Sequence, residues 1–154
     1  MVIGLEIQTS RFDVQLGIST DPHELQEPAM KSRWMEYQGK RILYIDLSNF
    51  RQDEKAFDEE LKFTVETIGQ EMYQAPLRSV PVLVDLRNTT ITQKVQTKLT
   101  ERITDTRKYV SRTAVIGMTG IRRVFFDFFA RLAQSETQPF DTPEEGLGWL
   151  VAKK

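Results

Sequence analysis

Arg112-Thr-Ala-Val-Ile-Gly-Met-Thr-Gly-Ile-Arg-Arg-Val-Phe-Phe126 is the stretch that decides the fold. Its apolar run, Ala114 to Ile116, reaches Gly117, turns through Met118-Thr119-Gly120 and enters an amphipathic helix. A buried strand feeding a helix is the building block of an α/β sheet. The junction also points backbone N–H groups out of a helix N-terminus, where such sheets meet ligands or partners.

The same alternation extends upstream. Val80-Pro-Val-Leu-Val-Asp85 has the length and apolar content of a fully buried strand. The polar turn Leu86-Arg-Asn-Thr-Thr-Ile91 leads into a helix whose apolar stripe is Val95, Leu99, Ile103, Thr106 and Val110. Because a helix crosses between them, the strands at 80–85 and 113–117 are predicted to be parallel. Earlier still, Arg33-Trp-Met-Glu-Tyr37 and Arg41-Ile-Leu-Tyr-Ile-Asp46 flank Gln38-Gly-Lys40, a hairpin signal. A helix starting near Asp53 carries Phe57, Leu61, Thr64, Val65, Ile68 and Met72 at helical spacing. Asp53 and Glu54 in its first turn suit the helix dipole.

Downstream, a third helix is predicted to bury Ile121, Val124, Phe125, Phe128, Phe129 and Leu132. A short strand follows, and then Thr142-Pro-Glu-Glu145 opens a last helix. Thr as N-cap, Pro at the first helical position and Glu at the third form a capping box. Leu147, Leu150 and Val151 face inward there, and Trp149 packs at the edge. At the other end of the chain, Phe12, Val14, Leu16 and Ile18 alternate with polar residues, as do Leu5 and Ile7, so residues 4–18 read as a hairpin. Asp21-Pro-His-Glu-Leu-Gln-Glu-Pro28 reads as a linker. The expected organisation is a β arm and linker over 1–28 and one α/β domain over 29–154.

A chain of 154 residues is long enough to bury a core, and 40% hydrophobic with 28% charged residues is a globular balance. The net charge of −1 gives no pull toward nucleic acid, and the basic residues form no stripe. Cysteine is absent, which removes disulfides, thiolate nucleophiles and Cys metal sites. No apolar run is long enough to span a membrane. Met1-Val-Ile-Gly-Leu-Glu-Ile-Gln8 lacks the basic segment and longer apolar core of a signal peptide, so the expected location is the cytoplasm.

The chemistry-bearing residues are few. The single histidine, His23, lies in the Pro-bounded linker, away from the rigid scaffold that a triad or metal site needs. No catalytic residue, metal site or cofactor is expected. Asp46 and Asp85 end their strands, a place where α/β proteins hold functional groups. The plainer role for each is to accept hydrogen bonds from the next turn's backbone. Gly117-Met-Thr-Gly120 is not a phosphate-loop fingerprint. Thr119, Gly120, Arg122 and Arg123 nevertheless stand at a helix start and are candidates for binding an anion. The alternative is a solvated basic pair beside a tight turn. Phe63 and Phe126 fall off their helices' apolar stripes and are candidates for an apolar ligand or an interface.

The order of these motifs resembles the SpoIIAA-like proteins, a branch of the STAS (sulfate transporter and anti-sigma antagonist) superfamily. The residues that carry the resemblance are Trp34-Met-Glu-Tyr-Gln-Gly-Lys-Arg-Ile-Leu-Tyr-Ile-Asp46, Pro81-Val-Leu-Val-Asp85, Tyr109-Val-Ser-Arg-Thr-Ala-Val-Ile-Gly-Met-Thr-Gly120 and Pro139-Phe-Asp-Thr-Pro-Glu-Glu-Gly-Leu-Gly-Trp-Leu150. The resemblance implies a mixed four- or five-stranded sheet with helices mainly on one face. It also brings in the CRAL-TRIO lipid-transfer domains as fold relatives. In anti-sigma antagonists the turn after the central strand carries Asp-Ser-x-Gly, and a partner kinase phosphorylates the Ser. The matching turn here is Asp85-Leu-Arg-Asn-Thr-Thr-Ile-Thr92, which lacks that pattern. The partner-binding or phosphorylation candidates are Asp85, Asn88, Thr89, Thr90 and Thr92. Against a switch stands Thr90-Ile-Thr-Gln93, which reads as the capping box of the second helix.

The expected function is a non-enzymatic regulatory or protein-interaction module, with a regulatory protein or a second copy of the chain as partner. The alternative is a carrier of a small apolar ligand, suggested by the lipid-transfer relatives and by Phe125, Phe126, Phe128 and Phe129. A homodimer is compatible with both, the strand at 12–18 adding to a sheet edge either in its own chain or in a second one.

Overall fold

The computed structural model describes residues 30–118 and 120–153. The arm expected over 1–28, with its hairpin and His23, lies outside the described residues. β1 (Arg33–Tyr37) and β2 (Lys40–Asp46) pair antiparallel, with Tyr37 opposite Lys40. Gln38 and Gly39 between them have φ of 50° and 81°, so the hairpin closes through a two-residue turn of left-handed residues. Such turns match the strand twist.

After the hairpin the chain steps one strand at a time in one direction. β2, β3 (Val80–Asp85), β4 (Val110–Ile116) and β5 (Glu136–Phe140) are parallel neighbours, and the sheet order is β1-β2-β3-β4-β5. α1 (Glu54–Glu66), α2 (Gln93–Thr106) and α3 (Arg123–Ala133) form the three crossovers. Right-handed crossovers that all step the same way put their helices on the same face. The core there joins Phe57 and Leu61 of α1, Val95 and Leu99 of α2, and Phe126 and Phe129 of α3 to Val115 of the sheet. α4 (Pro143–Val151) covers the opposite face, where Leu147 and Leu150 meet Ile42, Leu83, Ala114 and Ile116. Alternate residues of β2, β3 and β4 therefore serve two cores, which is why those strands are apolar on both sides. Among the described residues the result is a mixed five-stranded α/β sheet with three of the four α-helices on one face.

The caps follow the sequence closely at two helices. Asp53 caps α1 by accepting from the Ala56 N–H. Thr142 and Glu145 form the capping box of α4. At α2 the cap is Thr92, which accepts from the Val95 N–H, and not the expected Thr90. α1 also stops earlier than its apolar stripe suggested. Thr67 leaves the helix, and Ile68–Gln74 forms a 3-10 segment that still seats Met72 in the core.

α3 is rotated from its expected face. Phe126, Phe129 and Ala133 are buried, whereas Val124 is 73% exposed and Phe128 sits at the surface. Phe126, read as an off-stripe aromatic available to a ligand or interface, is thus a core residue at 4% exposure. Arg123, Asp127 and Arg131 form a polar stripe, but Phe125, Phe126, Phe128 and Phe129 leave a wide apolar arc, so periodicity alone does not choose which part of that arc packs innermost. Packing against Leu86 and Val115 makes that choice.

Candidate functional site

The C-terminal ends of the parallel strands carry three loops: 47–53 after β2, 86–92 after β3 and 117–122 after β4. Backbone bonds lash the first two together. The Leu47 N–H donates to the Asp85 carbonyl at 2.9 Å, Asn49 N–H to Arg87 at 2.7 Å and Arg51 N–H to Asn88 at 2.8 Å. The Thr90 N–H returns a bond to the Arg51 carbonyl at 2.7 Å, and Arg51 and Thr89 form a parallel bridge. The β2–β3 pairing thus continues beyond the strands. It does so at the cost of left-handed backbone at three non-glycine residues, Asn49 (φ 64°), Arg51 (53°) and Asn88 (58°). Asn tolerates that conformation, whereas Arg adopts it only where its surroundings hold it.

Side chains complete the arrangement. The buried Thr89 hydroxyl donates to the Leu47 carbonyl at 2.6 Å and accepts from the Phe50 N–H at 3.1 Å. Asn88 Nδ2 donates to Asn49 Oδ1 at 2.8 Å. From the third loop, Arg122 Nη2 donates to the Thr89 carbonyl at 2.8 Å. Desolvation lowers the Arg122 pKa from its ordinary value. Arg51, Gln52, Asn88, Thr90, Ile91 and Arg122 line the shallow surface depression that results.

Two sets of residues singled out in the sequence therefore meet here, but not all in the roles considered for them. Asp85 is fully buried and no partner can touch it. It accepts from the Arg87 N–H at 3.1 Å, from Arg87 Nη2 at 2.7 Å and from the Tyr44 hydroxyl at 3.2 Å. Asp46 likewise accepts from the Ser48 N–H at 3.1 Å. Both carboxylates thus serve the turn that follows. The Thr89 hydroxyl is saturated and enclosed. The Thr92 hydroxyl is spent on its cap and on Glu54 Oε2 at 3.1 Å. Thr90 is the exposed threonine of the three, and its side chain makes no hydrogen bond among the described residues. Gly120 is exposed with φ of 61°, and Arg123 is a surface residue 3.4 Å from Asp127. Thr119 lies outside the described residues. Among the described residues, no group of three His, Cys, Asp or Glu could hold a metal ion.

Arg51 and Asn49 were missed at the sequence level. Their loop reads only as a strand exit, and its left-handed residues are dictated by the neighbouring loop rather than by local sequence. Asn49 was the available signal, since Asn is a favoured left-handed residue.

The Tyr44–Asp85 contact has a measurable signature. Burial first, and then the nearby Asp85 charge, pushes the Tyr44 phenol up to about 12. A phenol with its pKa raised on folding adds stability that is intact below the ordinary value near 10. That stability is lost as pH rises from there to about 12. Thermal melts across this range are expected to show a steeper fall for the native chain than for Tyr44→Phe.

A second feature lies between the sheet and α1–α3. A cavity of about 130 Å³ is walled mainly by aliphatic side chains, among them Leu43, Val82, Leu99 and Val115. Phe129 reaches it, but Phe63 and Phe126 do not. Phe63 is half-buried on α1.

Comparison with known proteins adds the fold's identity. A crystal structure of an uncharacterised protein of the DUF3478 family with a SpoIIAA-like fold, from Shewanella loihica PV-4, superposes with a TM-score of 0.59. The match covers 79% of this chain and 93% of that one, at 12% sequence identity. No protein-family profile matches the chain. No curated protein matches it either. The chain thus shares the SpoIIAA-like fold. No helix among the described residues is long and apolar enough to cross a membrane.

Proposed function

We propose that the chain is a non-enzymatic protein-interaction module of STAS type, which reads a partner through the loops that follow β2, β3 and β4. One observation carries the reading: three loops locked to each other present Arg51, Asn88 and Thr90 on an exposed surface, and two of those loops hold left-handed backbone at Asn49, Arg51 and Asn88. Strain of this kind persists where the surroundings over-determine it, and it clusters at functional surfaces. A pre-ordered surface loses little entropy when a partner docks. The non-enzymatic part rests on the candidate carboxylates. Asp85 is committed to Arg87, and Asp46 to its own turn. Thr90 is the position where a phosphate would reach solvent and a partner, with Arg51 and Arg122 beside it.

The test is recovery of crosslinked partners from the native host with tagged chain. Thr90→Arg alters only the exposed side chain and is expected to leave the melting temperature within a degree or two. It is expected to cut recovery of one specific partner at least about tenfold. If that partner is an untagged copy of the chain, the module is a homodimer. An identical recovered set from both proteins would end this reading.

The second reading, a binder of a small apolar ligand, is favoured by the cavity beneath α1–α3. Native mass spectrometry of chain purified from its own host is expected, on this reading, to show a small-molecule adduct. Bare chain mass alone counts against it.

A further inference from the structure

The cavity between the sheet and α1–α3 is not apolar throughout. Thr113 of β4 and Thr137 of β5 sit opposite each other in register, and both line it, together with Ser135 just before β5. The Ser135 hydroxyl is buried with no hydrogen-bond partner. Thr113 makes no side-chain hydrogen bond among the described residues. A buried hydroxyl without a partner is uncommon and costly, so Ser135, with the unpartnered Thr113 on the same wall, calls for an explanation. The Thr137 hydroxyl, in contrast, is used, donating to the Ser135 carbonyl at 3.1 Å.

The charged side chains that line the cavity have one sign. Arg102 and Arg107 line the cavity, and no Asp or Glu does. Arg107 Nη1 donates to the Leu132 carbonyl at 3.0 Å, which holds the guanidinium beside the α3–β5 junction that carries Ser135. Arg78 Nη1 donates to the Gln134 carbonyl at 3.2 Å on the same junction. These two bonds offset the negative C-terminal end of α3. The remaining N–H groups of Arg107 have no protein partner among the described residues. Arg102 has an ion-pair partner in Asp105, at 3.6 Å on the surface side.

An aliphatic body, two hydroxyl donors without partners and an arginine without a lining acid together specify a ligand class. We propose that the cavity takes a small monocarboxylic acid, its hydrocarbon part against Leu43, Val82, Leu99 and Val115 and its carboxylate toward Thr113, Ser135 and Arg107. The proposal rests on the apolar-binder reading above and adds the polar end. A cavity of about 130 Å³ is slightly smaller than one known to admit benzene, so the hydrocarbon part held inside has about six carbon atoms at most.

Benzoate and toluene test this as a pair, because they share a body and differ by the carboxylate. Each is titrated into the full chain and followed by two-dimensional NMR. Saturable benzoate shifts are expected at Leu99, Thr113 and Val115. Thr113→Val, an isosteric change, and Ser135→Ala are each expected to weaken benzoate about fivefold and to leave toluene unchanged. Spectral dispersion shows whether each variant is folded, and Arg107→Gln supplies a third variant on a different element. Toluene binding with benzoate excluded, or benzoate binding that all three variants leave unchanged, overturns the proposal while the apolar-binder reading stands. Binding of neither overturns both.

Discussion

Arg87→Ala is expected to destabilise the chain by about 4 kcal/mol, more than Asp85→Ala at about 2 kcal/mol, although the two residues form one ion pair. The asymmetry comes from burial. The Asp85 side chain is 1% exposed and the Arg87 side chain 43%. Removing Asp85 leaves a guanidinium that can turn to water. The loss is then its charge-assisted bonds and the acceptor of the Tyr44 hydroxyl. Removing Arg87 strands a carboxylate inside the sheet, with a phenol and one backbone N–H for company. An uncompensated buried charge is the costly outcome, and solvent cannot reach it. Adding Asp85→Asn to Arg87→Ala removes that charge and is expected to recover about 1–2 kcal/mol of the loss. Urea denaturation of the variants measures all of these differences. Equal losses for the two single variants would mean that the Asp85 site is wetter than its burial indicates.

The pair also shows what sequence reasoning reaches. Asp85 was legible as a residue at a strand end that bonds its own turn, because that role is local. Its partnership with Arg87 was not, since two residues apart in a loop define no fixed geometry until the backbone is known. The same division runs through the molecule. β3 is apolar on both faces because α2 and α4 cover both, and six residues suffice to show it. The α4 capping box and the turn after Tyr37 are short-range signals that local sequence carries, although Lys40 belongs to β2 and the turn itself is only Gln38-Gly39. α3 resisted because Phe125, Phe126, Phe128 and Phe129 offer two adjacent faces, and only the packing of Phe126 against the sheet side separates them. Thr89 looked like a modifiable hydroxyl until the 47–53 loop folded over it. The two loops are about forty residues apart in sequence, which puts that contact outside any local pattern.

Gly117→Ala is expected to cost about 3 kcal/mol, and Gly39→Ala about 1 kcal/mol, though both glycines have positive φ. The values are 95° and 81°. Each substitution incurs the left-handed penalty of an L-residue, and at Gly39 that is the whole cost, because a Cβ there would meet nothing within 4 Å. At Gly117 the Cβ would lie 2.9 Å from the Arg87 nitrogen and 3.1 Å from its Cα. Those atoms belong to the backbone and cannot swing aside as a side-chain tip would. The close approach exists because the Leu86 N–H donates to the Ile116 carbonyl at 2.9 Å, drawing the loops after β3 and β4 together. Pushing them apart also strains the Arg122 bond to the Thr89 carbonyl, which ties the third loop to the proposed partner surface. Gly117→Ala is therefore expected to lower both stability and partner recovery, and Gly39→Ala to lower stability alone. Denaturation midpoints compared with the crosslinking yield separate the two effects. Equal destabilisation by the two substitutions would show that the loops after β3 and β4 yield freely, which would undercut a pre-ordered docking surface built from them.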